Sequence, residues 1–198
     1  MARIPTLMLV GCAVGVVVAP LSSSAPLAAQ VATPPPAQTL IDSAVRRAAA
    51  EHKVALVIFG ASWCGPCRLF HDFMVDSGVG PVVAAHYVVA NVVTMETPAN
   101  RTLENAGGEK ILSEMAGAVS GIPFFVALDS SGRKIADSRL LSQGGNVGFP
   151  TEPDEIAAFD VFLVRTAPGI TLLERLQIRA YLNWTARHLQ STSRSGRG

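Results

Sequence analysis

Apolar residues recur along the chain in two patterns, one typical of strands and one typical of helices. Residues 54–59 and Tyr87–Val93 are nearly continuous apolar runs, as in strands buried at the centre of a sheet. After Thr39 and over residues 64–76, apolar positions recur at helical spacing, and a shorter helix is expected at residues 109–118. The predicted order is helix, strand, helix, strand and helix.

The middle of the chain carries turn residues on both sides of a short apolar run. Residues 94–108 are polar and rich in turn formers, which predicts a long surface loop. Phe124–Leu128 and residues 133–136 then flank a turn at residues 129–132. This arrangement predicts a β-hairpin.

Three predicted helices begin with a threonine that an acidic residue follows three positions later, a pattern that caps a helix start. The pairs are Thr39 with Asp42, Thr151 with Asp154, and Thr171 with Glu174. The second and third of these helices are expected to run to about residues 165 and 187. They form a helical extension after the hairpin.

These elements together predict an α/β fold. A parallel strand pair joined by a helix is followed by an antiparallel hairpin, with helices on the faces of the sheet. We expect one domain at residues 39–190, a flexible linker at residues 30–38 that contains Pro34 to Pro36, and a disordered tail at residues 191–198. The sequence shows no internal repeat.

The first residues have the pattern of a secretory signal peptide. Arg3 supplies a positive charge, residues 4–21 carry no charged side chain, and small residues follow up to a cleavage site expected near Ala29. We therefore assign residues 1–29 as a signal peptide. Two alternatives stay open: the leader is retained as a membrane anchor, because its uncharged stretch can span a bilayer, or Cys12 is lipidated in a lipobox-like context.

An exported protein is therefore expected. Residues 195–198 carry no retention signal for the endoplasmic reticulum, which favours a bacterial periplasm. The 16 Lys and Arg nearly balance the 15 Asp and Glu, so no nucleic-acid partner is expected. Membrane contact is expected only if the leader is retained or Cys12 is lipidated.

The chain contains three cysteines. If the leader is cut near Ala29, Cys12 is lost, and Cys64 and Cys67 are the thiols that remain. Exported domains held by structural disulfides normally carry several widely spaced pairs. A bridge across two intervening residues closes a loop too small to restrict the unfolded chain much. The spacing therefore favours a reactive dithiol.

The motif Trp63-Cys64-Gly65-Pro66-Cys67 lies where a predicted buried strand turns into a helix. At a helix start, unpaired N–H groups and the helix dipole stabilise a thiolate, so Cys64 is expected to be the nucleophile. Cys67 lies about one turn later, close enough to form a disulfide and, we expect, more shielded. Pro66 suits the first helical turn, and Gly65 leaves the approach to the sulfur open.

Each assignment has an alternative. Cys64 and Cys67 can form a static disulfide, and Trp63 can be packed in the core instead of forming a wall of the site. His71 lies on the same helix face as Cys67, but the two cysteines and His71 supply three metal ligands with no evident fourth. We therefore expect no metal and treat His71 as a surface residue.

The pentapeptide at a strand-to-helix junction resembles the active site of the thioredoxin family, and the elements from about residue 39 to 136 resemble its fold. That fold is a central mixed β-sheet flanked by helices. Gly121-Ile122-Pro123 resembles the family's cis-proline loop, which implies a cis Pro123 packed beside the cysteines and an Ile122 backbone that pairs with a partner segment. The alternative is an ordinary trans proline in a turn.

One position departs from the family pattern. Thioredoxin has a buried acid six residues before its first cysteine, and this chain has Ile58 there. The lysine that usually faces this acid is also missing, because Tyr87–Val93 contains none. With no acceptor for the Cys67 proton, we expect resolution of a mixed disulfide to limit turnover near neutral pH.

The resemblance implies a protein thiol–disulfide oxidoreductase without a soluble cofactor. Its partners are protein disulfides or dithiols and an unidentified electron donor protein. The Gly-Pro pair between the cysteines and Ile122 before Pro123 resemble reducing members of the family, so a reductase is expected, with an oxidase or isomerase as alternative. A thioredoxin-scaffold chaperone or binding module without redox turnover is the rival interpretation.

Overall fold

A computed structural model describes residues 33–116 and 121–195 of the protein. The elements in chain order are α1 (Ala37–Ala50), β1 (Val54–Gly60), α2 (Gly65–Val75), α3 (Gly80–His86), β2 (Tyr87–Val93), a 3-10 helix (Pro98–Leu103), α4 (Gly108–Ala116), β3 (Phe124–Leu128), β4 (Lys134–Asp137), α5 (Pro153–Thr166) and α6 (Leu172–Ser195). The predicted strands and most of the predicted helices are confirmed within a few residues. Helix α3 lies in a stretch that had no predicted element.

The sheet is mixed and has the strand order β2-β1-β3-β4. Strand β1 pairs in parallel with β2 and antiparallel with β3, and β3 pairs antiparallel with β4 as the predicted hairpin. The five inner residues of β1 are all buried, as its continuous apolar sequence predicts for a central strand. The predicted mixed sheet flanked by helices is confirmed.

Two apolar clusters cover the faces of the sheet. Helix α1 packs the small side chains of Ala44 and Ala48, with Ile41, against one face. An aromatic cluster covers the other face, where Phe70 of α2 lies 5.4 Å from Phe125 of β3, measured between ring centroids. Since α2 begins at the cysteine motif, this packing fixes the motif relative to the sheet.

The C-terminal helices are part of this core. Phe159 and Phe162 of α5 pack on Phe125, with ring centroids 5.7 and 5.1 Å away. The Tyr87 hydroxyl lies 2.6 Å from Thr166 Oγ1. Burial raises the pKa of Tyr87 to about 12, although the contact with Thr166 acts in the opposite direction. The helical extension therefore completes the face of the sheet that α2 covers only in part.

The predicted caps hold for one of three helices. Helix α1 begins at the buried Ala37, after Pro36, with no side-chain cap. The prediction for Thr39 and Asp42 is therefore wrong, because burial of Ala37 draws two more residues into the helix. Asp42 instead accepts from Gln38 Nε2 at 2.8 Å.

Helix α5 is capped by Glu152 and Glu155, which form a reciprocal capping box. The pair predicted from Thr151 and Asp154 is displaced by one residue, because Pro153 occupies the first helical position. Helix α6 keeps the predicted pair, since Thr171 Oγ1 accepts from Glu174 N at 3.2 Å.

The predicted surface loop at residues 94–108 contains more order than its composition indicates. It includes the 3-10 helix, and Thr94, Glu96 and Asn105 in it are buried. Asn105 accepts from Val93 N at 2.7 Å and donates to Pro35 O at 2.9 Å. These bonds tie the loop to the end of β2 and to the segment before α1.

Helix α6 continues to Ser195, beyond the predicted end near residue 187, so residues 191–195 of the predicted disordered tail are helical. The predicted signal peptide at residues 1–29, the first residues of the predicted linker, residues 117–118 of the helix predicted at 109–118, and residues 196–198 lie outside the described residues. Among the helices of residues 33–116 and 121–195, none has the length and apolar character needed to cross a membrane.

Candidate active site

The cysteine motif occupies the junction between the central strand and helix α2. Strand β1 ends at Gly60, and α2 begins at Gly65 with Pro66 in its first turn. Cys64 is the N-cap residue, and its Sγ accepts from Cys67 N at 3.1 Å. The predicted position of Cys64 at the helix start is confirmed.

Cys64 and Cys67 form a disulfide with their Cα atoms 5.2 Å apart. Cys64 is 3% exposed, whereas Cys67 is partly exposed. The expectation that Cys67 is the more shielded thiol is therefore wrong. Gly60 packs closely on Cys67, since a Cβ on Gly60 would lie only 3.2 Å from Cys67 Sγ.

The cis-proline loop lies on the Cys64 side of the disulfide. The Ile122–Pro123 peptide bond is cis, Pro123 is buried, and Ile122 O lies 3.7 Å from Cys64 Sγ. The structure therefore brings Ile122 and Pro123 to the cysteines, as the resemblance implies. This contact accounts for part of the burial of Cys64.

Asn146 holds this loop, and sequence reasoning missed it. Its Nδ2 donates to Gly121 O at 2.7 Å and to Pro123 O at 3.1 Å. Its Oδ1 accepts from Ser138 Oγ at 2.7 Å and from Gly148 N at 3.1 Å. One side chain therefore joins both sides of the cis-proline to the loop after β4. An asparagine in a glycine-rich segment gives no sequence signal for such a role.

Trp63, the residue before Cys64, is exposed. It is 52% exposed, so the alternative that it packs in the core is wrong. Its Nε1 donates to Met95 O at 2.8 Å, and Met95 itself has a left-handed backbone with φ +58°. The indole is therefore held at one edge, while the rest of the ring can contact a partner.

Three consecutive residues after β2 bind the segment before Cys64. Thr94 N donates to Gly60 O at 2.8 Å, and Met95 receives the bond from Trp63. Glu96 accepts from Ser62 twice, from its N–H and from its Oγ, the latter at 2.8 Å. Glu96 is 6% exposed. It is the second residue that sequence reasoning missed, because it lies in a polar segment that reads as a solvated loop.

A cavity of about 970 Å³ opens on the Cys67 side of the disulfide. Ile58, 6% exposed, lies in its wall, so the position of the family's buried acid is apolar here. Cys67, His71 and Glu96 also line it. His71 is exposed on α2, as expected for a surface residue.

The comparison with protein families agrees with this geometry. Residues 37–130 match the family model described as thioredoxin-like. The matched segment includes the sheet strands β1 to β3, the cysteine motif and the cis-proline. The fold is thioredoxin-like, with a mixed four-stranded sheet flanked by helices and a helical C-terminal region.

Three solved structures with similarity to this chain are thiol–disulfide proteins by their names. A disulphide isomerase from Xylella fastidiosa is 21% identical and covers 74% of this chain and 88% of its own, with a TM-score of 0.43. A DsbH oxidoreductase is 19% identical and covers 78% and 96%, with a TM-score of 0.43. A thioredoxin from Thermus thermophilus is 21% identical and covers 65% and 88%, with a TM-score of 0.40. No curated protein sequence matches the chain.

Proposed function

We propose that the protein is a thiol–disulfide oxidoreductase that reduces disulfides in other proteins. The observation that carries this proposal is the Cys64–Cys67 pair at the start of α2, placed beside the cis-proline loop. A static bridge needs neither a helix N-terminus nor an adjacent loop that can receive an extended chain. Both features serve exchange with a partner.

The exchange uses two electrons from the dithiol. In the reduced protein, the Cys64 thiolate is stabilised by the N–H of Cys67 and by the α2 dipole. It attacks one sulfur of the partner disulfide, forms a mixed disulfide and releases the other sulfur as a thiolate. Cys67 loses its proton and attacks Cys64, which re-forms the Cys64–Cys67 bond and releases the second partner thiol.

The remaining residues of the motif have supporting roles. Trp63 is a wall that a partner can contact, and Gly65 and Pro66 form the first turn of α2 without covering the sulfur. The Ile122 backbone beside Cys64 is suited to pair with the partner chain. Pro123 keeps this backbone next to the sulfur.

Reduction of insulin by a chemical donor tests the activity. We expect turnover in the wild type and none in Cys64→Ser. Equal suppression of insulin aggregation by both proteins, without turnover in either, would support the rival chaperone or binding module. No soluble cofactor is needed in this assay, because the donor is a dithiol, as we propose for the natural donor protein.

The direction of electron flow is tested by equilibration with glutathione. We expect a reduction potential of about −270 mV, as in reducing thioredoxins, and not of about −120 mV, as in strongly oxidising relatives. The Gly-Pro pair between the cysteines supports the reducing direction. A potential at the oxidising end would make the protein an oxidase or isomerase.

Export is the last part of the proposal. The signal-peptide pattern of residues 1–29 supports a periplasmic location, where the protein and its partners would meet. The mass of the mature protein from fractionated cells tests cleavage near Ala29. A full-length, membrane-bound chain would indicate a retained anchor. A lipid-modified mass that Cys12→Ser abolishes would indicate a lipoprotein.

A further inference from the structure

Glu96 lines the cavity on the Cys67 side of the disulfide, although Ile58 occupies the position of the family's buried acid. We propose that Glu96 accepts the proton of Cys67 when Cys67 resolves the mixed disulfide, an inference that rests on the proposed function. Glu96 comes from the loop after β2, whereas Ile58 lies on β1. The same chemistry is therefore supplied from a different element, and this proposal replaces the expectation, drawn from Ile58 alone, that resolution limits turnover near neutral pH.

Three contacts hold Glu96 close to the cysteine motif. Thr94 N donates to Gly60 O at 2.8 Å, and Ser62 donates to both carboxylate oxygens of Glu96. Gly60 in turn stands against Cys67, because a Cβ on Gly60 would lie 3.2 Å from Cys67 Sγ. The carboxylate is thus fixed to the same short segment that borders the sulfur.

The cavity connects the two groups. Cys67 and Glu96 both line it, and its volume of about 970 Å³ is far larger than the roughly 30 Å³ that one water occupies in the liquid. Asn91 and Ser62 add polar atoms to its wall. A carboxylate has about four lone-pair positions, so two bonds from Ser62 leave Glu96 able to accept from water.

Other titratable side chains surround Glu96. Helix α2 contributes Arg68, His71 and Asp72 to the cavity wall, and Arg68 Nη1 donates to Ser62 O at 3.2 Å. The Glu104 carboxylate accepts from Glu96 N at 2.7 Å. Among these groups, His71 and Asp72 are the other candidate bases, and His71→Ala and Asp72→Asn are their controls.

The proton transfer completes the exchange without any further reactant. The Cys67 S–H bond breaks, and its proton passes through cavity water to the Glu96 carboxylate. The Cys67 thiolate then attacks Cys64 Sγ, and the partner leaves as a thiolate. The carboxylic acid of Glu96 returns its proton to solvent or to the released thiolate.

The experiment follows the decay of a mixed disulfide between Cys64 and 5-thio-2-nitrobenzoate, which absorbs light when Cys67 releases it. The decay rate is measured from about pH 6 to pH 10. In the wild type we expect a rate nearly independent of pH between about pH 6 and 8. In Glu96→Gln we expect decay about a hundredfold slower near neutral pH, the lower end of what positioned acid–base groups contribute.

The pH profile separates proton transfer from a structural effect. In Glu96→Gln the rate is expected to rise about tenfold per pH unit and to approach the wild-type rate above the ordinary thiol pKa of about 8.5. Ile58→Asp introduced into Glu96→Gln restores a carboxylate to the cavity wall and is expected to recover neutral-pH decay. Glu109→Gln, the control, removes an exposed acid from the first turn of α4 and is expected to leave the profile unchanged.

Several results would overturn the proposal. A wild-type rate that already rises tenfold per pH unit shows that no acceptor operates, and this measurement needs no variant to fold. A Glu96→Gln defect that persists at high pH shows that Glu96 only shapes the loop. An unchanged Glu96→Gln profile, with the loss seen in His71→Ala instead, assigns the proton to His71. Formation of the mixed disulfide in Glu96→Gln keeps each of these results distinct from a failure of the proposed function.

Discussion

Cys64 and Cys67 share one disulfide but stand in different surroundings. Cys64 is 3% exposed, and Ile122 O lies 3.7 Å from its sulfur. Cys67 is partly exposed, lines a cavity of about 970 Å³ and lies next to Gly60. One side of the bridge is closed by backbone, and the other opens to a space that water can enter.

This difference matches a division of chemical work. The closed side offers backbone atoms next to Cys64, which suits pairing with an extended partner chain. The open side offers a buried carboxylate, Glu96, which suits movement of a proton. We expect Cys64 to attack first although it is the more buried residue of the oxidised pair, because the helix start stabilises the Cys64 thiolate once the disulfide is reduced.

The largest expected effect comes from removing the Cys67 sulfur while Cys64 is kept. With Cys67→Ser, a mixed disulfide on Cys64 cannot be resolved, so covalent adducts with exported proteins should accumulate on non-reducing gels. The double variant Cys64→Ser, Cys67→Ser is the control and should give none.

If Cys64→Ser traps partners through Cys67 with equal yield, the roles of the two cysteines are reversed. Exposure on the open side would then matter more than the helix start. Cys67 would then be the attacking thiol and Cys64 the resolving thiol.

The second prediction concerns Asn146→Ala, which weakens the cis-proline loop on the Cys64 side of the disulfide and leaves the Cys67 side intact. Asn146→Ala removes four hydrogen bonds, two of them to the carbonyls on either side of the cis-proline segment. Leaving these partners unpaired should lower the free energy of unfolding by about 1 to 3 kcal/mol and reduce turnover of a protein disulfide. Decay of the 5-thio-2-nitrobenzoate adduct on Cys64 should keep its wild-type rate, since Cys67 and Glu96 are untouched.

Asn183→Ala is the matched control for this prediction. Its Nδ2 donates to Arg179 O at 2.8 Å on the exposed side of α6. We expect little change in protein-disulfide turnover, measured by insulin reduction. If Asn146→Ala slows adduct decay as much as insulin reduction, the two sides are not independent.

The fold and the cysteine motif could be predicted because their signals are local. Residues 54–59 are apolar without interruption, and the pentapeptide at 63–67 marks the start of a helix. Both patterns hold for almost any tertiary surroundings. The cis-proline beside Cys64 came from the resemblance of Gly121-Ile122-Pro123 to a family motif.

The supporting residues could not be predicted, because their roles depend on contacts far apart in the sequence. Glu96 binds Ser62 across 34 positions, and Asn146 binds Gly121 across 25 positions. In the sequence each is one polar residue among others in a loop. The exposure of Cys67 could not be predicted from the sequence either, because it depends on how the elements around the cavity pack.

The third prediction concerns Gly60→Ala, which adds a methyl group on the Cys67 side of the disulfide. Gly60→Ala places a methyl group 3.2 Å from Cys67 Sγ and 3.3 Å from Cys67 Cβ, so the cysteine must shift by a few tenths of an ångström. We expect a loss of about 1 kcal/mol in the oxidised protein, at the low end for an overpacked site. Thermal unfolding of oxidised and reduced protein measures it.

Gly145→Ala is the control for the added methyl group, because nothing lies within 4 Å of a Cβ at that position. It should leave both unfolding midpoints unchanged. An equally stable Gly60→Ala protein would show that the open side has more room around Cys67 than the structure gives it.

The last prediction concerns the core, where no effect is expected between pH 6 and 9, and it determines whether pH effects on adduct decay can be assigned to the site. Burial raises the pKa of Tyr87 from its ordinary value of 10 to about 12 in the folded protein. Below about pH 10 the phenol is protonated in both the folded and the unfolded chain, so its contribution to stability is complete. As the pH rises from about 10 to 12, the unfolded chain loses the proton first, and up to about 3 kcal/mol of the free energy of unfolding is lost.

Urea unfolding of wild type and Tyr87→Phe at each pH tests this. The wild-type free energy of unfolding minus that of Tyr87→Phe should be constant from pH 6 to 9 and fall above pH 10. Tyr87 then adds nothing to a pH dependence seen between pH 6 and 8, where the proposed Glu96 transfer operates. A difference that already falls by pH 8 would mean that core titration contributes to the measured profile.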